Sequence, residues 1–280
     1  MEFIVSIGVG FSEVLTGGVL VLHKLAYELA NRGFKVTIFT DPQYPHENII
    51  VRKNCSEDRL DFDYNPEQTV IIPSYNWKNS SNIKNVARWA LYHIDQNHNV
   101  DEQDEIFNFG TFDTKTKKIT RKLTTFDYQQ EIFVNKEKLR KKSYCHILLK
   151  NNPPQYQEII SYFNSFSLDD YKTKGCFEYL AEKFNEFEYF LTFDDKTFLT
   201  TAAAMCGCKS IILNNNNISP QEFKKENPIQ ALGVADGMED LNWSEKTLQF
   251  VPEHIKFLQE QDDKTIDNFI NFWQNKIYNS

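Results

Sequence analysis

The sequence predicts an α/β protein of two parallel-sheet domains, and three observations predict it. Residues 189–213 read as strand, polar turn, small-residue helix and strand, the repeating unit of a parallel sheet. Residues 2–40 show the same order: a short apolar strand, a glycine-containing loop, an amphipathic helix and a second strand. The length of 280 residues matches two domains at the usual ~150 residues each.

Element by element, Glu2–Ile7 is a strand running into Gly8-Val9-Gly10, and a loop carrying Thr16-Gly17-Gly18 follows. From Val19 to Arg32, apolar residues at Val19, Leu22, Leu25, Ala26, Leu29 and Ala30 recur at helical spacing, so one face is buried. Gly33 closes that helix, and Lys35–Thr40 is the next strand, ending at Asp41-Pro42. This β-loop-α-β unit opens a Rossmann-like half. Gln68–Pro73 and Glu105–Phe109 are further strands. The Lys/Thr-rich stretch Asp113–Lys142 reads as a hairpin or peripheral strand pair leading into a linker.

A second domain opens at about Ser143. Cys145–Leu149 is its first strand and ends in Lys150. Helices are expected at Glu158–Phe166 and Gly175–Asn185, and a strand at Phe187–Phe193. Asp194-Asp195-Lys196-Thr197 forms the turn, Phe198–Cys206 the helix that Gly207 stops, and Ser210–Leu213 the next strand. The free amides and dipole at that helix entrance suit a phosphate. Ala202, Ala203 and Ala204 would let the helix, and anything bound at its mouth, approach closely. Helices at Pro220–Asn227, Pro252–Gln261 and Thr265–Tyr278 complete the chain; the last has a stripe of Ile266, Phe269, Ile270, Trp273 and Ile277.

Composition narrows the function classes. Hydrophobic residues at 41% and aromatics at 14% are ordinary for a globular protein, and a net charge of −8 disfavours nucleic-acid binding. No stretch reaches the ~20 apolar residues of a membrane span, and no basic, then apolar leader pattern opens the chain. A soluble, cytoplasmic protein is expected. The five cysteines, Cys55, Cys145, Cys176, Cys206 and Cys208, lack paired metal spacing and read as reduced structural thiols. No metal site is expected: Asp61-Phe-Asp63 has acid spacing but lies in a Tyr/Asn-rich loop. Gly8-x-Gly10 lacks the third glycine of a dinucleotide fingerprint, and Tyr179-x-x-x-Lys183 stands without a matching glycine-rich start.

The turn and helix at 193–207 resemble the donor-nucleotide half of GT-B-fold glycosyltransferases. They resemble most the bacterial and viral surface-polysaccharide transferases with a Tyr-Asp-x-x-Thr turn and Ala-x-x-x-Gly-Cys. Here Phe193 replaces the Tyr, Asp195 matches the first acid of a GT-B acidic pair, and Ala203 stands at the second. Arg88-Trp89-Ala90-Leu91-Tyr92, Gly233-Val-Ala-Asp-Gly237 and Trp243-Ser-Glu-Lys-Thr247 resemble further segments of that group.

The resemblance implies two Rossmann-like domains facing a cleft: an acceptor-side domain over 1–142, a nucleotide-sugar domain over 143–250, and helices 251–280 crossing back. It implies a glycosyltransferase moving a sugar from a nucleoside-diphosphate donor to a glycan hydroxyl, in the host cytoplasm if viral. Neither metal nor cofactor would be needed. Gly17, Gly18 and Lys150 would meet the donor phosphates or sugar. The Thr197 hydroxyl and the amides of residues 197–199 would join Lys150 on the leaving diphosphate. Asp194 or Asp195 would bind donor-sugar or ribose hydroxyls, unless one of them caps the helix. For a catalytic base the candidates are Asp41, His93 and Asp95, each after an apolar segment; His23 is a weaker choice, within the first helix. Two other classes stay open: a non-catalytic sugar-nucleotide or glycan-binding relative, and an NAD-dependent sugar-nucleotide-modifying enzyme such as an epimerase.

Overall fold

The computed structural model describes residues 1–7, 17–73, 77–79, 83–91, 100–110, 120–148, 152–174, 176–195, 197–213 and 219–279. The chain divides into two units, one of Met1–Asp127 with Gln259–Ser280 and one of Tyr128–Leu258. The division falls before Tyr128 because Tyr128 and Phe133 pack on Phe198, and Phe133 also on Phe177 and Phe184, all in the second unit.

The first unit carries β1 (Glu2–Val5), α1 (Gly17–Asn31), β2 (Lys35–Ile38), β3 (Ile49–Val51), β4 (Thr69–Ile72), β5 (Asn85–Ala90), β6 (Glu105–Asn108) and β7 (Thr120–Lys122). They form a seven-stranded sheet in the order β3-β2-β1-β4-β5-β6-β7. Every pairing is parallel. This is the Rossmann strand order, in which the chain reverses direction between β1 and β4. Helix α1 starts at Gly17 rather than Val19, and Gly33 (φ +86°) ends it with Gly33 N–H on Ala30 O and Phe34 N–H on Leu29 O. Of the segment expected to be a hairpin or peripheral strand pair over 113–142, residues 113–119 lie outside the described residues; among those described, β7 lies parallel to β6 as an exposed edge strand, and the next strand belongs to the other unit. A lysine- and threonine-rich edge strand resists pairing with another chain.

The second unit carries β8 (Lys141–His146), α2 (Tyr156–Tyr162), β9 (Phe166–Ser167), α3 (Cys176–Glu186), β10 (Phe187–Thr192), α4 (Leu199–Met205), β11 (Lys209–Ile212), α5 (Pro220–Glu226), β12 (Val234–Asp236) and α6 (Leu241–Thr247). Its sheet is again parallel, in the order β12-β11-β10-β8-β9. Strand β8 starts at Lys141, ahead of the apolar core of the expected strand, because Lys141 pairs with Phe187 across the ladder and with Glu186 through its side chain. Gly207 (φ +82°) ends α4 as Gly33 ends α1, with Cys208 N–H on Ala203 O. Arg140 ties the ends of α3 and α4 together, donating to the carbonyls of Phe184, Phe187 and Cys206.

Helix α7 (Val251–Tyr278) is continuous, where two helices were expected. Neither Gly nor Pro interrupts Asp262-Asp263-Lys264, and those acids are used in place. Asp262 accepts the Phe126 N–H at 3.1 Å, and Asp263 pairs with Arg32 at 2.8 Å. The expected apolar stripe is buried at Ile266, Phe269, Ile270 and Trp273, with Phe269 edge-on to Phe107 at 4.7 Å. Each such side chain contributes roughly 1.5–3 kcal/mol of transfer free energy. Among the described residues no helix is long and apolar enough to cross a membrane.

Candidate functional site

In open parallel sheets, ligands sit beyond the carboxyl ends of the strands, where the strand order reverses. In the second unit the chain passes from β8 outward to β9, then crosses to β10 on the other side of β8. The reversal therefore falls between β8 and β10, and the β10–α4 turn stands on it. Asp194, Asp195 and Thr197 are on that turn, all half-buried.

The turn is shaped by short polar bonds. The Asp194 N–H donates to Thr192 Oγ1 at 3.2 Å, which folds the chain back as it leaves β10. The Leu199 N–H donates to Thr197 Oγ1 at 3.3 Å, so the Thr197 hydroxyl helps close the start of α4. The Thr197 carbonyl accepts from Gln230 Nε2 at 3.1 Å and Thr200 Oγ1 at 3.0 Å. Asp195 makes no hydrogen bond or ion pair with any described residue, which leaves its carboxylate available to a donor.

Helix α4 is buried along its whole length. Thr201 donates to Ile229 O at 3.0 Å, and Ser210 donates to Thr200 O at 2.6 Å. Ala204 packs so closely on Gly233 that a Cβ there would meet its own at 2.9 Å. The close approach that Ala204 allows is to Gly233, just ahead of β12. Ala203 is fully buried within α4.

The remaining expected residues are dispersed. Lys150, His93 and Asp95 lie outside the described residues. Gly17 opens α1, and Gly18 is exposed, with no described atom within 4 Å of where a Cβ would stand. Both glycines therefore belong to the helix and not to the loop before it. They follow β1, whose carboxyl end is at the reversal in the first sheet.

Asp41 follows β2, exposed and paired with Lys53 at 2.8 Å. His23 is buried; its Nδ1 accepts the Gln43 N–H at 3.3 Å and its Nε2 has no partner among the described residues. Burial lowers its pKa to about 4, which holds it as the neutral Nε2–H tautomer. Asp61 accepts from Cys55 Sγ at 2.7 Å, and Lys183 pairs with Glu186 at 2.7 Å and lies over the Tyr179 ring. Both short motifs are thereby bound up locally. Among the described residues no three His, Cys, Asp or Glu side chains converge as metal ligands.

Two polar residues at this edge carried no expectation. Gln230 spans Thr197 and Thr200, and Asp236 ends β12 next to β11. Their signals in sequence are slight: an amide amid a loop, and an acid before a glycine after three small or β-branched residues. No family model matches the chain, and no curated protein matches it either.

Proposed function

We propose that the chain is a glycosyltransferase of GT-B architecture whose second unit binds a nucleoside-diphosphate sugar. The observation that carries this is the position of the Asp194–Thr197 turn at the strand-order reversal of a parallel five-stranded sheet. A second parallel sheet, of Rossmann order, supports it, with a glycine-containing segment after its first strand.

In the reaction, a bond forms between the acceptor oxygen and the anomeric carbon while the bond from that carbon to the diphosphate breaks. The diphosphate departs with the bonding electron pair, so charge grows on its oxygens in the transition state. Donors fixed there lower the barrier. Lys150, in the segment after β8, and the amides at the start of α4 are the groups assigned to that charge. Asp195 is assigned to donor hydroxyls. The acceptor proton passes to a base for which Asp41, His93 and Asp95 are the candidates.

Ala203, at the position where the resemblance implies an acid, motivates a second reading, a relative that binds the sugar nucleotide without turning it over. The test is release of nucleoside diphosphate from a panel of sugar nucleotides, with and without oligosaccharide acceptors. Acceptor-dependent release that Lys150→Ala abolishes supports transfer. Saturable binding without release supports the binding protein, and neither binding nor release defeats both.

A further inference from the structure

Asp236 pairs with Ile212, and Ile212 pairs with Thr192, so the ends of β12, β11 and β10 lie level across the sheet. Asp236 is 5% exposed, and its Oδ1 is buried with no hydrogen-bond partner among the described residues. Lys224 is paired with Asp240, and the Asp240 carboxylate accepts the Asp236 N–H at 3.1 Å. Glu239 approaches the next residue so closely that only glycine fits: at Gly237 (φ +84°) a Cβ would lie 2.5 Å from Glu239 Oε1. Burial raises the Asp236 carboxyl above the usual range; the Lys224 ammonium offsets this in part, and Asp240, Glu239 and Asp195 add to it.

A buried carboxylate oxygen without a donor costs folding free energy, and native proteins keep few such atoms without a reason. Asp195, on the β10–α4 turn, also has no donor among the described residues, and its charge is felt at Asp236. Carboxylate oxygens on one sheet edge are satisfied by N–H or O–H donors, and the hydroxyls of a sugar nucleotide are donors of that kind.

We infer that Asp236 binds a hydroxyl of the sugar nucleotide, with Asp195 taking a second, the hydroxyls belonging either to the ribose or to the transferred sugar. This rests on the donor site proposed above and adds to it a residue from β12. A ligand hydroxyl would supply Oδ1 with the donor that the fold withholds.

The test is calorimetric titration of the full chain at neutral pH, as wild type and as Asp236→Asn. Ligands are ribonucleoside diphosphates, their 2′-deoxy and 3′-deoxy counterparts, and the matching diphosphate sugars with deoxy-sugar analogues. Wild type is expected to prefer the hydroxylated member by about tenfold in the pair that tests the Asp236 hydroxyl and again in the pair that tests the Asp195 hydroxyl, each the loss of one hydrogen bond to a charged acceptor. Asp236→Asn, which replaces a charged acceptor by a neutral one and leaves the diphosphate contacts, is expected to weaken the preference in the first pair and to spare the second. Loss confined to the ribose pairs identifies the ribose; loss confined to the sugar pairs identifies the transferred sugar.

Preferences of the same size in wild type and variant in every pair overturn the assignment while leaving the donor site intact. Equal wild-type affinity within every pair overturns it without any variant. Wild type that binds no nucleoside diphosphate removes the donor site, and this residue's role with it. Removing an unpaired buried carboxylate should leave the melting temperature equal or higher, which checks that the variant is folded.

Discussion

Replacing Asp262 by Asn should make the protein more stable at neutral pH and leave it little changed in acid. Asp262 faces the loop before the second unit, accepting the Phe126 N–H at 3.1 Å. Burial pushes its carboxyl from 3.8 up to about 6, with the bonds from Thr124 and Phe126 pulling the other way. A folded-state value above the unfolded one means that the folded chain holds this proton more tightly. The stability it contributes is complete below the unfolded value and is lost as the pH rises through the folded one. Two units at about 1.4 kcal/mol each give ~3 kcal/mol.

His23 acts with the opposite sign in the same window. Its pKa falls from 6.5 to about 4, so its stability is present above the upper value and is lost as the pH falls toward the lower. In wild type the two slopes oppose each other; in Asp262→Asn the His23 slope stands alone. Urea unfolding across the acid-to-neutral range should show the variant gaining ~2–3 kcal/mol on wild type as the pH rises. A difference independent of pH, or an Asp262 carboxyl resonance titrating at its ordinary value, would refute the reasoning.

Two further substitutions test the second unit's framework. Gly233→Ala puts a side chain at φ +73° with its Cβ 2.6 Å from Val251 Cγ2; strain and overpacking together should cost about 2–4 kcal/mol in urea unfolding. A loss under about 0.5 kcal/mol would mean that β12 and α7 are not packed as described. Arg140→Ala leaves the carbonyls of Phe184, Phe187 and Cys206 without their donor. It should cost about 2–4 kcal/mol and raise hydrogen exchange at the ends of α3 and α4 first; uniform exchange across the unit would argue against the clamp.

What could be read in the sequence was what local chemistry decides. Gly33 and Gly207 ended their helices because each adopts the positive φ that a Schellman close requires. Strands β1, β2, β4, β6, β10 and β11 were visible as apolar runs bounded by polar turns. Strands β3, β9 and β12 are at most three residues long, too short for any period to register. The supposed break in α7 came from three charged residues in a row, whose partners Arg32 and Phe126 are remote in sequence.

The site divides in the same way. Asp194, Asp195 and Thr197 were legible because strand, turn and helix follow one another along the chain. Asp236 was not, since its place at that edge depends on the lateral pairing of β12 with β11. The burial that neutralises His23, and the Lys53 partner of Asp41, are likewise tertiary facts.

The most direct test of the central proposal is calorimetric titration with UDP, GDP, CDP, dTDP and ADP, each on wild type, Lys150→Ala and Asp195→Asn. A donor site at the β10–α4 turn predicts saturable 1:1 binding of one base class, weakened at least tenfold by Lys150→Ala and, for the diphosphate sugar, by Asp195→Asn. No binding to any of the five, or binding that neither substitution changes, would contradict it.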